Sequence, residues 1–208
     1  MNHLALDEVG IYLGNAKVTD DVEGRYTSLY DYLSDEVSKV PPGANGVIFT
    51  PWLHGNRCPF EDSHAGGMFF NLRIENGKRD MLRAVLEGIC YHLRWLLECE
   101  MKKVKTSESL RFVGGGALSP VTCQMLADIT GRTIETVNNT QEVGAVGTAL
   151  VVAAGIKGVD VLELSRQLVK ADCVYVPDPA NKEVYARNYD VFKGLYKANA
   201  RSFKKLNA

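Results

Sequence analysis

The sequence has no CxxC pair, no apolar run approaching the roughly 18–20 residues of a membrane span, and no excess of either charge. Its five cysteines, Cys58, Cys90, Cys99, Cys123 and Cys173, sit at irregular spacing. An odd, scattered set argues against a disulfide framework and for reduced thiols in a cytoplasmic setting. A net charge of −1, from 24 Lys and Arg against 25 Asp and Glu, leaves no polybasic footprint. Nucleic acid and membrane surfaces are therefore not expected as partners. The opening MNHLALDEVG has neither the basic nor the apolar region of a signal peptide. His54, Cys58 and His64 lie near one another but in no zinc spacing, so no metal site is expected. There are no repeats or low-complexity tracts.

What is present is an ordinary globular composition over 208 residues, 46% of them apolar, enough for one domain spanning 1–208 with a core of its own. HLALDEVGIYL reads as the tail of a helix. Residues 27–40 place Leu29, Tyr32, Leu33, Val37 and Val40 at helical spacing, and Pro41-Pro42-Gly43 closes that helix. Val47, Ile48 and Phe49 make a short strand before the Pro- and Gly-rich loop PWLHGNRCPF, and Met68–Leu72 makes another. The longest helix is expected over Lys78–Lys102, with a core-facing stripe of Leu82, Val85, Leu86, Ile89, Leu93, Leu96 and Leu97. Glu87 and His92 on it are expected as surface or satisfied polar groups rather than as acid–base catalysts.

The chemistry concentrates in Arg111–Gly131, RFVGGGALSPVTCQMLADITG. A strand at Arg111–Val113 runs into three glycines, which permit positive φ and close ligand approach. Ser119 and Pro120 then start a helix that Gly131 ends, and amide groups at its start could face an anion. No Lys follows, so this is not a P-loop, and the spacing is not GxGxxG. Glu135 lies roughly where a dehydrogenase would place its ribose-binding acid, but the glycine spacing is wrong for that reading. Beyond it come a strand at TIETV, a small-residue helix over Glu142–Ala154 that lets another backbone pack close, a short helix near Val161–Val169, a strand at Cys173–Val176 and a terminal helix over Lys182–Lys205 with an aromatic stripe. Alternating strands and helices make the class α/β.

Three ordered motifs carry a resemblance: GGGA followed by QMLADI-x-G, the helix start DMLRAVLEG, and Glu142, Ala145, Gly147 and Ala149 in an E-x-x-A-x-G-x-A helix. Together they resemble the C-terminal domain of the FGGY family of carbohydrate kinases, closest to its xylulokinase-like members. The loop with Pro51, Leu53, Gly55, Arg57 and Pro59 also fits. Asn56 stands where many members have Glu, Gly66 where many have Arg, and Asn71 where many have Gly.

The resemblance implies an actin-like (ribonuclease H-like) fold with a mixed central sheet flanked by helices. It implies MgATP-dependent phosphorylation of a sugar hydroxyl, a pentulose such as xylulose, in a cleft shared with an N-terminal kinase domain. Gly115, Gly116, Ala117, Leu118 and Ser119 would form the adenine-nucleotide wall. The catalytic base and most Mg2+ and sugar contacts belong to the other domain in this family, so Asp62, Asp80 and Asp128 are assigned no catalytic role. Inactivity in isolation and self-association through an uncovered interface are expected. The alternative is a non-catalytic nucleotide-binding or interaction module of the same shape.

Overall fold

The computed structural model describes residues 26 and 28–208; the helix tail expected at HLALDEVGIYL lies outside them. Helix α1 (Leu29–Ser38) starts at Ser28, whose hydroxyl accepts from the Asp31 N–H at 3.2 Å. The Pro41-Pro42-Gly43 run then turns the chain into β1 (Ile48–Thr50), which is wholly buried. β1 pairs antiparallel with β2 (Met68–Phe70), Ile48 opposite Phe70 and Thr50 opposite Met68.

The loop between them is closed on itself. Asn56 and Asp62 exchange backbone hydrogen bonds at 2.9 Å each way, and the Asn56 amide donates to the Cys58 and Phe60 carbonyls. The loop is thus structural, and Asn56 supplies its closure. Asn71 adopts φ +63, a left-handed geometry that Asn tolerates better than most residues, and its side chain donates to the Gly46 carbonyl at 3.0 Å.

Helix α2 (Lys78–Met101) begins where the Asp80 carboxylate accepts the Gly77 N–H at 2.8 Å. It lies so close over β1 that a Cβ on Gly88 would stand 2.2 Å from the Phe49 carbonyl oxygen. The expected stripe is displaced as a result. Ala84, Glu87, Gly88, Cys90 and Tyr91 form the deepest face. Leu82, Leu86 and Leu93 flank the core, while Ile89 is exposed. The periodicity was right for a helix, but close approach to β1 demands small residues where leucines were expected.

Glu87 is fully buried and paired with Arg83 at 2.7 Å. Arg83 also donates to the Val37 and Val40 carbonyls and the Tyr185 hydroxyl, and the Gly43 N–H donates to Glu87. Burial pushes the Glu87 carboxyl up, and Arg83 opposes that shift. This network ties the end of α1 to α2 and to the C-terminal helix.

The second sheet holds β3 (Ser109–Arg111), β4 (Thr133–Val137) and β5 (Ala171–Tyr175) in that order. β3 and β4 run parallel, with Ser109 opposite Thr133, and β5 runs antiparallel to β4. The sheet is mixed, as expected, but small. Helix α3 (Pro120–Thr130) connects β3 to β4; α4 (Val143–Lys157) and α5 (Val161–Leu168) connect β4 to β5; and α6 (Lys182–Asn207) closes the chain. The aromatic stripe of α6 is core, with Tyr185, Tyr189 and Phe192 buried. Trp52 meets Phe60, Phe192, Tyr196 and Phe203 at ring separations of 5.2, 5.7, 5.9 and 6.3 Å, a range that suits edge-on and tilted aromatic pairs.

α4 departs from its expected role. Gly144, Gly147 and Gly155 have open space where a Cβ would stand, and Val151, Val152 and Ile156 are 63%, 55% and 80% exposed. Leu150 and Ala154 of this helix are buried, so the open face is the one that carries the glycines. No helix among them is long and apolar enough to cross a membrane.

Candidate functional site

After β3 the chain reaches Gly114 at φ +89, ψ −170, a conformation closed to residues with a Cβ. Gly115–Leu118 then coil into one 3-10 turn, with the Ala117 N–H donating to the Gly114 carbonyl at 3.1 Å and the Ser119 N–H to that of Gly116 at 3.3 Å. Only the first of the three glycines uses positive φ. Gly116 is required for a different reason: a Cβ there would meet the Phe112 ring at 2.9 Å. Gly115 has neither constraint, its nearest neighbour being the Gln141 side-chain nitrogen at 4.0 Å.

The predicted wall residues fall into three groups. Gly115, Gly116 and Leu118 are exposed and accessible. Ala117 is buried beneath them, and its carbonyl accepts from the Cys123 thiol at 3.6 Å. Ser119 is engaged in structure. Its hydroxyl accepts the Thr122 N–H at 3.3 Å and pairs with Ser34 at 3.0 Å. With Pro120 lacking an N–H and Ser119 taking that of Thr122, the start of α3 is largely spent as an anion site. Gly131 ends the helix in the left-handed region, as expected.

Facing the turn is the polar loop Asn138–Glu142, which joins β4 to α4. The Gly114 N–H donates to the Thr140 carbonyl at 2.8 Å, which docks the turn on the loop. Between them opens a cleft of about 380 Å3, with Ala117, Leu118, Asn138, Thr140 and Glu142 in its walls. The volume falls at the lower end of the range for small-molecule sites. Asn139 holds φ +54 at the loop's corner, and no side chain caps the start of α4 behind it.

The remaining candidates are occupied elsewhere. Asp80 caps α2. Asp62 accepts from the His64 N–H and the Tyr196 hydroxyl. Asp128 accepts from Gln124, the Asp178 N–H and Asn181, tying α3 to the approach to α6. His92 accepts from the Trp52 indole at 3.4 Å, and burial lowers its pKa against the opposing effect of a hydrogen bond with the Cys58 backbone. His64 pairs with the Asn207 carbonyl. Among the described residues there is no group of three or more His, Cys, Asp or Glu fit to hold a metal ion. A second cleft, of about 530 Å3, lies between α1 and the start of α2, where Glu36 joins Lys39 and Arg79.

Residues 13–156 match the family model described as the FGGY family of carbohydrate kinases, C-terminal domain. The chain is 33% identical over 156 residues to a xylulose kinase of Staphylococcus epidermidis, covering 74% of this chain and 31% of that protein. It thus spans about a third of the length of such relatives. Among solved structures it is similar to a ligand-bound xylulose kinase from Lactobacillus acidophilus, with TM-score 0.77 and 27% identity over 95% of this chain and 39% of that one. A gluconate kinase from the same organism matches with TM-score 0.76 and 27% identity, over the same shares of the two chains. The α/β architecture is accordingly that of the actin-like kinases.

Proposed function

We propose a nucleotide-binding role in sugar phosphorylation for this chain, which belongs to the FGGY family of carbohydrate kinases. It supplies the adenine-nucleotide side of the interdomain cleft of an ATP-dependent sugar kinase, with Gly115, Gly116 and Leu118 exposed to the nucleotide, Ala117 beneath them and Ser119 holding the turn in place. The observation that carries this reading is the turn beside a cleft: Ala117 and Leu118 line a cleft of small-ligand size, next to the exposed residues Gly115 and Gly116. The other part of such a protein, an N-terminal domain, supplies the catalytic base and the sugar contacts. No catalytic residue is assigned here, and the chain alone is inactive.

Phosphoryl transfer depends on positioning and charge neutralisation more than on covalent chemistry, so one half of a cleft can hold nucleotide while the other holds the acceptor. ATP supplies the phosphoryl group. Mg2+ arrives with the nucleotide and finds its protein ligands mainly in the other domain, as the family resemblance implies. A pentulose such as xylulose is the favoured acceptor on the strength of the xylulose kinase relatives, and the scattered cysteines favour a cytoplasmic setting.

The exposed apolar face of α4 favours a second reading, an interaction module of the same fold. In the kinase reading that face is covered by the N-terminal domain, the part that relatives three times this length possess. Calorimetric titration of the chain with MgADP tests the primary reading: saturable binding is expected, and its absence overturns nucleotide binding by this chain. ATP turnover with xylulose by the isolated chain at ordinary kinase rates, roughly 1–100 per second, would overturn the division of labour.

A further inference from the structure

Cys123 and Cys173 stand on either side of the seam between α3 and β5. The Cys123 thiol is buried in the core and donates to the Ala117 carbonyl at 3.6 Å. Cys173 is exposed on β5, the outer strand of the second sheet, and lines the same cleft wall as Ala117, Thr136 and Tyr175. Two contacts fix β5 against α3 at this point. The side chain of Gln124, next to Cys123, donates to the Val176 carbonyl at 2.8 Å. On β4, Ile134 and Thr136 share one face by alternation. Ile134 belongs to the same core as Cys123, and the Thr136 hydroxyl accepts the Cys173 N–H at 3.2 Å. Burial first, and then the nearby Cys173 sulfur, pushes the Cys123 thiol up to about 11. Cys90 also borders Cys123, but it is buried and out of reach of a dissolved reagent.

We propose that Cys173 is a site of reversible thiol modification by low-molecular-weight disulfides, with Cys123 as the thiol that resolves the adduct. The Cys173 thiolate attacks one sulfur of the small disulfide, whose S–S bond breaks and releases one small thiolate. The Cys123 thiolate then attacks the Cys173 sulfur and displaces the second. Each leaving thiolate takes up the proton that a protein thiol gave up. Two protein thiols are thereby oxidised by two electrons to one disulfide, and the small disulfide is reduced to two thiols. Cys123 is buried and held mostly as the thiol, so its step is the slower one. The bond ties α3 to β5 at the cleft wall and opens again when small thiols are in excess. Disulfides of reducing compartments are mostly of this transient, redox-sensing kind. The site does not depend on the nucleotide reading.

In the test, the 208-residue chain is incubated with oxidised glutathione without denaturant, quenched with acid at intervals and mapped by mass spectrometry without reduction. An adduct on Cys173 should appear first and give way to a peptide pair linked through Cys123 and Cys173. Cys58, also exposed but the only cysteine in its loop, should keep its adduct and serves as the internal control. In Cys123→Ala the Cys173 adduct should persist like that on Cys58, and in Cys173→Ser no linkage to Cys123 should form. Dithiothreitol should return the unaltered chain to its five free thiols.

A Cys173 adduct that lasts as long as the Cys58 adduct on the unaltered chain would overturn the proposal. So would a Cys90–Cys123 linkage, or a Cys123–Cys173 linkage that forms only after denaturation. If Cys123→Ala melts well below the unaltered chain, Cys173→Ser, altered at an exposed position, carries the comparison.

Discussion

Replacing Gly115 and Gly116 with alanine, one at a time, separates the ligand-facing part of the turn from its structural part. Neither residue has positive φ, so backbone strain does not enter and the outcome depends on what each new methyl meets. At Gly116 it meets the Phe112 ring, 2.9 Å from Cζ and 3.4 Å from Cε1. Phe112 packs against the main core, so the ring yields only by disturbing its neighbours. Overpacking of this kind costs about 1–3 kcal/mol. In a domain of this size each kcal/mol shifts the melting temperature by about 2–4 °C, so a loss of roughly 2–12 °C is expected. At Gly115 the nearest atom is 4.0 Å away. The fold should tolerate that methyl and gain slightly from the lower entropy of the unfolded chain. The methyl does occupy space that a ligand would approach, and the same overpacking scale of about 1–3 kcal/mol predicts a loss of MgADP affinity of roughly five- to 150-fold. Differential scanning calorimetry and titration on both variants give the comparison. A Gly115→Ala chain that melts lower than Gly116→Ala, or that binds MgADP with unchanged affinity, would refute the reasoning.

The buried pair and the surface make further predictions. Glu87→Gln leaves the Arg83 guanidinium buried without its carboxylate and should cost about 3–5 kcal/mol in urea unfolding, as breaking a buried pair does. Glu36 is pushed up by burial, but its bonds to Lys39 and Arg79 outweigh this and hold it below 4.5. Its contribution to stability is therefore present above that pH and lost as pH falls through the lowered folded value. Glu36→Gln should flatten the acid limb of the stability–pH curve between those two values. Native-state alkylation near pH 8, read by mass spectrometry, should modify the exposed Cys58 and Cys173 and spare Cys90 and Cys123. Both spared thiols are buried, and burial pushes that of Cys123 up to about 11. Finally, the chain should self-associate at high concentration through the apolar face of α4. Ile156→Lys should suppress this in size-exclusion chromatography without lowering the melting temperature, since Ile156 is exposed in the chain itself.

Much of the frame was legible because its signals are local. The Ser119-Pro120 start and Gly131 stop of α3, the strand Thr133–Val137, and the aromatic side of α6 depend on caps, β-branching and spacing within a few residues. The strand before the glycines was misplaced by two residues, at Arg111–Val113 rather than Ser109–Arg111, because its extent is set by pairing with β4 some 24 positions later. The buried face of α2 was misread because a glycine carries no hydrophobic signal, yet Gly88 lets the helix lie against Phe49.

Residue type and spacing by themselves determined the α/β class, the ordered motifs of the family and the glycine turn ahead of α3, since caps, turns and periodicity are properties of neighbouring residues. Tertiary structure alone decided which glycine is strained, which is sterically required and which is open. It decided that Glu87 is a buried structural ion, and that Thr140 lies beside the turn with its hydroxyl unpartnered. Each of those outcomes depends on atoms that come within a few ångströms only when segments tens of residues apart have packed.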